Sequence, residues 1–287
     1  MSGHTLSLGA IALDMPDLSL EEIFRTTAEW GLKHVDLYYK VNYVDFDVDE
    51  VRRLSRVYDV QVHSISTRGI PLSQRLDVTE QLEVISQALE HAGQLGAGFS
   101  ESMAGPTKLS TAEAVDRYVE LISPIVRRAE TLGVTLLVEN VFNRDEARDP
   151  TASVEGTRML LERVGSDNFA LCWDIANFAV NGESTHPHPY EALKPWIKYV
   201  HLKDTLPQAS CTLPYQETKR IMVDPERGGF VSVPLGQGIV DVDGVVDRLI
   251  RDEFAYPVTV ELFCSPDKRA PYWDQTGQWL KSKGLLA

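Results

Sequence analysis

A charged side chain stands directly after each of four apolar runs in the second half of the chain. The runs cover residues 134–138, 169–173, 196–200 and 257–260, and the residues that follow them are Glu139, Asp174, His201 and Glu261. Short runs rich in β-branched and aliphatic residues, bounded by turn residues, predict buried strands. A charge at the end of a buried strand adds nothing to a hydrophobic core, so these four residues indicate a different role.

The rest of the chain alternates between strand-like and helix-like stretches. Ser19-Leu20-Glu21-Glu22 is typical of a helix start, with a capping serine and an acidic first turn. Eight predicted strands, each followed by a helix, are the pattern of a (β/α)8 TIM barrel, and residues 1–287 fit a single domain of that class. A doubly wound open sheet would need a glycine-rich phosphate turn after the first strand, and residues 10–13 contain no glycine.

The spacing of the four charged residues supports the barrel and exposes one insertion. The intervals from Glu139 to Asp174 and from Asp174 to His201 are each about one strand–helix unit long, given roughly 250 residues for eight units. The interval from His201 to Glu261 is about one unit too long, and its surplus, residues 205–238, is rich in proline and glycine. Loops of this length are usually lids or binding loops. We therefore predict an insertion over the active-site rim after strand seven, with a solvated surface loop as the alternative.

Parallel strands would bring the four charged side chains to one rim of the barrel. Three carboxylates and one imidazole suit a divalent metal ion, with Mn²⁺ as the first expectation and Mg²⁺, Co²⁺ or Zn²⁺ as alternatives. A single acidic residue after a strand is more often a helix cap, but four at the same topological position favour a joint metal site. Such an ion polarises a bound carbonyl, and a carboxylate on either side can move the proton of the adjacent carbon. Glu139 and Glu261 are the predicted acid/base pair.

The net charge and the cysteines limit the binding partners and the cellular compartment that the sequence predicts. The net charge of −14, from 28 basic and 42 acidic residues, argues against nucleic acid as a partner, because phosphates are bound mainly by Lys and Arg. Three cysteines far apart favour a reducing compartment. Neither a secretory signal nor an apolar run long enough to span a membrane is visible, so we expect a cytoplasmic protein without membrane contact. A homo-oligomer remains open.

Five short motifs resemble the xylose isomerase-like superfamily of TIM barrels. They are Val138-Glu139-Asn140, Cys172-Trp173-Asp174, residues 199–204 (YVHLKD), residues 234–238 (PLGQG) and Val260-Glu261-Leu262. The superfamily contains sugar isomerases and epimerases, inosose dehydratases and apurinic endonuclease IV. The resemblance implies that Glu139, Asp174, His201 and Glu261 bind one metal ion, and that the two glutamates exchange the substrate proton.

The chain departs from this pattern at Asn177, where many members carry a histidine three residues after the aspartate. Endonuclease IV needs a further histidine after strand four and an Asp-x-His pair after strand seven. This chain has Ser100-Glu101-Ser102 at the first place and no Asp-x-His after His201. The trinuclear phosphodiesterase site therefore lacks its ligands, and an endonuclease becomes the weakest of the functional alternatives.

Three residues are predicted to bind substrate. His63 stands in the third predicted strand, where a histidine satisfied within the barrel is the alternative. Asn177 can hydrogen-bond a hydroxyl group, and Lys203 can neutralise an enediolate oxygen if its side chain points into the site. Glu101, after strand four, faces either the cavity or a salt bridge at the rim.

The predicted function is metal-dependent isomerisation or epimerisation of a sugar or keto-inositol through a metal-bound enediolate. The alternative is a dehydratase, or a lyase on a keto-sugar or keto-glycoside, because the same intermediate expels a leaving group at the next carbon. A barrel that binds a small sugar-like ligand without catalysis shares the fold but has no need of two opposed carboxylates.

Overall fold

The structure, a computed structural model, describes residues 5–40, 46–70, 72, 78–143, 148–211 and 221–287. Eight parallel strands close into a barrel, with β1 hydrogen-bonded on one side to β2 and on the other to β11. The barrel strands are β1 (Ser7–Ile11), β2 (His34–Tyr38), β3 (Gln61–Ser66), β4 (Phe99–Met103), β5 (Thr135–Glu139), β6 (Phe169–Asp174), β7 (Ile197–Leu202) and β11 (Pro257–Val260). The predicted (β/α)8 TIM barrel is confirmed.

Helices connect the strands and cover the outside of the barrel. They are α1 (Leu20–Glu29), α2 (Val48–Tyr58), α3 (Val78–Leu95), α4 (Thr111–Leu132), α5 (Val154–Val164), α6 (Ile175–Val180), α7 (His188–Leu193), α8 (Val242–Arg251) and α9 (Pro266–Ser282). The predicted cap at Ser19 is present as a capping box with Glu22. Within the described residues, no helix combines the length and the hydrophobicity of a membrane span.

Alternation along the strands decides which side chains enter the barrel. Outward residues such as Val138, Trp173 and Val200 belong to the large core between strands and helices. Inward residues form a separate small cluster inside the barrel: Leu137, Ala170, Cys172 and Tyr199, with Phe99 packed against them. Because successive side chains of a strand point to opposite faces, the residues two positions further along also point inward. These residues include Glu139, Asp174 and His201, so the predicted ligands form the next layer of the barrel interior.

The insertion after β7 contains a small antiparallel sheet, which the sequence did not predict. Its strands are β8 (Asp204–Pro207), β9 (Ile221–Asp224) and β10 (Gly228–Val233), in the order β8-β10-β9. Residues 212–220 of the insertion lie outside the described residues. Exposed and buried positions alternate along β9, but the exposed Ile221 and Val223 are apolar and the buried Asp224 is acidic, so the sequence shows no alternation of apolar and polar residues there.

The insertion is packed against the barrel rim and closed at its base. Met222 and Phe230 are buried in a cluster with Val141 and Phe142, from the loop that follows β5, and with Val180, the last residue of α6. At the base, the Asp204 carboxylate accepts hydrogen bonds from the backbone N–H groups of Thr205 at 2.8 Å, Gly238 at 2.7 Å and Val240 at 3.1 Å. A Cβ at Gly238 would lie 2.0 Å from an Asp204 oxygen, so only glycine fits there.

Candidate metal centre

Glu139, Asp174, His201 and Glu261 converge at the carboxyl end of the barrel strands. One ligand atom from each of the four lies within 4.8 Å of the others. All four residues are buried, with at most 5% of any residue exposed. The strands that carry Glu139 and Glu261, β5 and β11, are separated in the barrel by β6 and β7. The two glutamates therefore approach the centre from different sides.

His201 lies between two pairs of carboxylates. Its Nδ1 is 3.3 Å from Glu139 Oε1 and 3.5 Å from Glu261 Oε2. On the other side of the ring, Nε2 is 3.5 Å from Glu101 Oε2 and 3.8 Å from Asp36 Oδ2. Burial by itself lowers the pKa of His201, but Cys172 and the surrounding carboxylates outweigh burial and raise it well above the ordinary value.

Lys203 is buried inside the same cluster. Its Nζ forms an ion pair with Asp174 Oδ2, lies 3.3 Å from Glu261 Oε1, and sits 5.2 Å from the centre of the Phe263 ring. Burial favours a neutral amine, but the charges of Asp174 and Glu261 outweigh burial and raise the pKa of Lys203 above its usual value. The ammonium group is therefore held at the centre.

The charges and donor atoms of the centre fit a divalent cation. With the imidazole neutral, as a metal ligand must be, three carboxylates and one ammonium leave a net charge of −2, which a single divalent ion balances. Asp174 Oδ2 is buried and paired with the Lys203 ammonium, which also lies beside Glu261, so one ammonium serves all three carboxylates. Oxygen donors with one imidazole nitrogen suit Mn²⁺, Mg²⁺, Co²⁺ or Zn²⁺. An uncompensated buried carboxylate is costly, so the centre has a physical need for such an ion.

Two asparagines hold the ligands of β5 and β6 in place. The Asn140 side chain donates to the Asp174 carbonyl oxygen at 2.9 Å and accepts from the Asp174 backbone N–H at 2.9 Å. Asn177 Nδ2 donates to the Asn140 carbonyl oxygen at 2.9 Å and lies 3.5 Å from Glu139 Oε1. Asp174 Oδ1 caps α6 by accepting from the N–H groups of Ala176 and Asn177. These contacts leave Asp174 Oδ2 directed toward the centre.

Asp14 is a residue of this region that the sequence analysis missed. It is 1% exposed, and its carboxylate accepts hydrogen bonds from the backbone N–H groups of Leu262 at 2.6 Å and Phe263 at 2.8 Å. Phe263 has a φ of 43°, in the left-handed region, directly after Leu262. Asp14 follows the apolar run of β1, so the pattern that marked the four ligands was also present here.

The predicted substrate-binding residues fall in different parts of the barrel. Asn177 and Lys203 lie at the centre, whereas His63 lies toward the amino ends of the strands. Residues Val35 and Asp36 of β2 pair with Val62 and Ser64 of β3, so His63 is the extra residue of a bulge. Its ring stacks on His34, the first residue of β2, with ring centres 4.1 Å apart. The structure does not bring His63 to the metal-ligand cluster.

A cavity with a volume of about 550 Å³ opens on the same face of the barrel, near the carboxyl ends of β2 and β3. Residues from both strand ends and from α3 line it: Tyr39, Lys40, Arg68, Gly69, Glu80, Gln81 and Val84. The side of the barrel that holds the metal-ligand cluster therefore also has space for a small molecule, as expected for this fold.

Comparison with solved structures shows the same fold over nearly the whole chain. The probable 3-DHS dehydratase AsbF from Bacillus anthracis is 18% identical, with a TM-score of 0.73 and coverage of 96% of this chain and 98% of that one. The D-allulose 3-epimerase from Methylomonas sp. is 17% identical, with a TM-score of 0.74 and coverage of 99% of both chains. The IolI protein with a bound zinc atom is 18% identical, with a TM-score of 0.72 and coverage of 98% and 97%.

A search of curated protein sequences found no match. The sequence profile of one family, however, matches residues 24–283, which is most of the chain. The profile spans the barrel from α1 to α9 and includes all four residues of the candidate metal centre. The chain therefore belongs to the xylose isomerase-like TIM barrel family.

Proposed function

We propose that the protein isomerises or epimerises a sugar-like polyhydroxy-ketone or keto-inositol, with Glu139 and Glu261 as the acid/base pair. Membership of its family makes it an enzyme of the sugar isomerase and epimerase kind. The observation that carries the proposal is the buried cluster of four donor residues, in which the two glutamates come from strands separated by two others.

Glu139, Asp174, His201 and Glu261 are the residues that would hold one divalent metal ion. When bound, the ion supplies a Lewis acid that polarises a substrate carbonyl. We propose Mn²⁺ first on the strength of the oxygen-rich donor set. The zinc atom in the IolI protein supports Zn²⁺ as the second choice.

The acid/base pair moves a proton at the carbon next to the substrate carbonyl. One glutamate removes the proton from one face of that carbon, and the other, already protonated, donates its own proton to the opposite face; in isomerisation the removed proton is instead delivered to the neighbouring carbon. Both residues are at most 5% exposed, which keeps water away from the carbon during the transfer, and the glutamates take up solvent protons between turnovers.

Lys203 and Asn177 complete the proposed substrate site. The Lys203 ammonium, fixed by Asp174 and Glu261, balances negative charge that develops on a substrate oxygen. Asn177 Oδ1 is buried and has no hydrogen-bond partner among the described residues. An acceptor in that position suits a substrate hydroxyl group, which would donate to it.

Elimination is the second candidate function. It begins with the same proton removal, and a leaving group on the next carbon then departs with its electron pair. The similarity to a probable 3-DHS dehydratase is the observation that favours it. Phosphodiester cleavage has less support, because Asn177 replaces one histidine and the other two additional histidines are missing from the sequence.

The direct test is solvent deuterium exchange. The Mn²⁺-loaded and Zn²⁺-loaded proteins would be incubated in D₂O with a panel of ketoses, inososes and 3-keto-glycosides, and deuterium would be located by NMR. We expect exchange at a carbon next to the carbonyl, lost in Glu261→Gln and retained in Glu120→Gln, a variant on the exposed surface of α4. Retained metal with no exchange on any substrate would contradict the proposal, and cleavage of abasic DNA would support the endonuclease instead.

A further inference from the structure

A second pair of carboxylates lies deeper in the barrel, on the far side of His201, and the proposed function makes no use of it. Asp36 is in β2 and Glu101 is in β4, and both residues are fully buried. Their oxygens lie 3.8 Å and 3.5 Å from His201 Nε2. The ring of His201 therefore separates an outer pair of carboxylates, Glu139 and Glu261, from this inner pair.

The inner pair has few other hydrogen-bond donors. Asp36 Oδ1 accepts a hydrogen bond from the Tyr199 hydroxyl group, which also lies 3.2 Å from Thr259 Oγ1. In the part of the chain that the structure describes, Asp36 Oδ2 and both Glu101 oxygens have no hydrogen-bond partner at normal distance. His201 Nε2 is the ring nitrogen that these oxygens face, and the Cys172 thiol lies close by, with one ligand atom each of Glu101, Cys172 and His201 within 4.8 Å of the others.

Electrostatics selects the arrangement of protons on the ring. An Nε2 lone pair directed at the Asp36 carboxylate would face negative charge in a dry interior, which is strongly unfavourable. A hydrogen on Nε2 instead offers a hydrogen-bond donor to Asp36 Oδ2 and Glu101 Oε2. In a singly protonated imidazole the lone pair then belongs to Nδ1, the nitrogen that faces Glu139 and Glu261.

We infer that Asp36 and Glu101 are positioning residues, which hold the proton on His201 Nε2 and so present Nδ1 to the metal ion. The inference rests on the proposed function, because it requires His201 to be a metal ligand. Metal-binding histidines commonly donate their second ring N–H to a carboxylate, which fixes the orientation of the ring and strengthens its binding. Here β2 and β4, from the half of the barrel without ligands, provide that support.

Tyr199 extends the arrangement by one step. It precedes His201 by two residues in β7, so the two side chains enter the barrel on the same side of the strand. Its hydroxyl group binds Asp36, and its ring meets the His201 ring edge-on with centres 5.9 Å apart. The Asp36 carboxylate is thereby held beside Nε2.

The test compares metal affinity and the protonation pattern of the histidine in the full-length protein. Asp36→Asn, Glu101→Gln, Glu101→Leu and the double variant Asp36→Asn/Glu101→Leu would be titrated with Zn²⁺ against a chelator. We expect Zn²⁺ affinity to fall about 10- to 100-fold in Glu101→Leu and the double variant. Glu101→Gln keeps an acceptor oxygen, so its loss should be smaller. Ser64→Ala, another fully buried barrel residue, is the matched control and should change affinity less than twofold.

Nitrogen-15 NMR of the Zn²⁺-loaded protein separates positioning from general damage to the fold. In the wild type we expect the His201 signals of a protonated Nε2 and a metal-bound Nδ1. The double variant should show a second form with the metal on the other nitrogen, or broadened signals, while circular dichroism stays unchanged. Unchanged affinity and unchanged His201 signals in the double variant would overturn the inference.

Three binding patterns would also overturn the inference, in distinguishable ways. Two Zn²⁺ ions per chain, one of them lost in Glu101→Leu, would make the inner carboxylates metal ligands rather than positioning residues. No Zn²⁺ binding by the wild type, or equal binding by His201→Ala, would overturn the proposed metal centre together with this inference. Loss of binding in His201→Ala alone, with all inner variants intact, would leave the metal centre standing and remove only the role of Asp36 and Glu101.

Discussion

His34 and His201 are both fully buried inside the same barrel, yet their surroundings shift their pKa values in opposite directions. His34 lies at the amino end of β2, stacked on His63, and burial lowers its pKa to about 3 with help from His63. His201 lies at the carboxyl end of β7, and its neighbours, Cys172 and the carboxylates, raise its pKa against the same effect of burial. Loss of water alone does not decide the charge of a buried histidine; its neighbours do.

The two ends of the barrel differ for the same reason. At the amino ends of the strands, the His34 ring stacks on the His63 ring. A neutral stacked ring needs no counterion and contributes only to packing. At the carboxyl ends, carboxylates from the ends of three strands surround one imidazole and one ammonium, and the cluster has a need for further positive charge. In TIM barrels this end carries the chemistry and the opposite end carries stability.

The largest expected effect concerns proton transfer at the carboxyl end. Glu139→Gln keeps the shape of the side chain but removes its basicity, so the rate of solvent deuterium exchange should fall about 10²- to 10⁴-fold. The measurement is exchange into the best substrate of the panel, with metal content determined in parallel. An exchange rate within threefold of the wild type would remove Glu139 from the acid/base pair.

Loss of the buried ammonium comes next. Lys203→Met fills a similar volume but leaves Asp174 and Glu261 without their cation, which should lower the free energy of unfolding of the metal-free protein by about 3–5 kcal/mol. Urea unfolding in the presence of a chelator measures this free energy of unfolding. Excess divalent metal should restore part of the stability, because the ion replaces the lost charge. A variant as stable as the wild type without metal would contradict the ion-pair account.

Asp14 offers a smaller test of the carboxyl end. Asp14→Ala leaves the backbone N–H groups of Leu262 and Phe263 buried without their acceptor, at a cost of about 1–3 kcal/mol for each. We expect a lower free energy of unfolding and a weaker metal site, because the segment after Glu261 loses its anchor. Asp17→Ala, an exposed neighbour, is the control for the loss of one acidic residue. Equal losses in both variants would count against a specific role for Asp14.

The pH dependence of stability tests the amino end of the barrel. His34 stays neutral in the folded protein down to about pH 3, whereas an unfolded histidine takes up its proton near pH 6.5. Its contribution to stability is therefore complete above pH 6.5 and is lost as pH falls toward 3, by at most about 1.4 kcal/mol per pH unit. His34→Phe has no such proton, so its stability should fall less between pH 6 and pH 4. Parallel curves for variant and wild type would contradict a buried neutral His34.

The smallest effect is expected at His63. His63→Leu alters a side chain that the structure places away from the metal-ligand cluster, so metal affinity and exchange rate should each stay within about twofold of the wild type. A large loss of exchange with normal metal content would reverse this expectation and return His63 to the substrate site.

The local pattern of the sequence contained most of the fold. Apolar runs bounded by turn residues predicted the strands, and the capping signal at Ser19 predicted the start of α1. The insertion was predicted as a loop because it is rich in proline and glycine and because β9 has no alternation of apolar and polar residues in its sequence. Strand polarity also explains why Glu139, Asp174, His201 and Glu261 were found: each follows an apolar run directly, and the barrel confirmed by the structure places the carboxyl ends of all four strands at one rim.

By itself, the sequence determined the strand–helix alternation and the positions of four charged residues at strand ends, since both are properties of neighbouring residues. Tertiary structure decided which groups face one another across the barrel. Asp14 meets Leu262 only because closure joins β1 to β11 across 248 residues, and Asp36 meets Tyr199 across 163. The opposite pKa shifts of His34 and His201 belong to the same class, because both depend on burial and on side chains that other strands bring close.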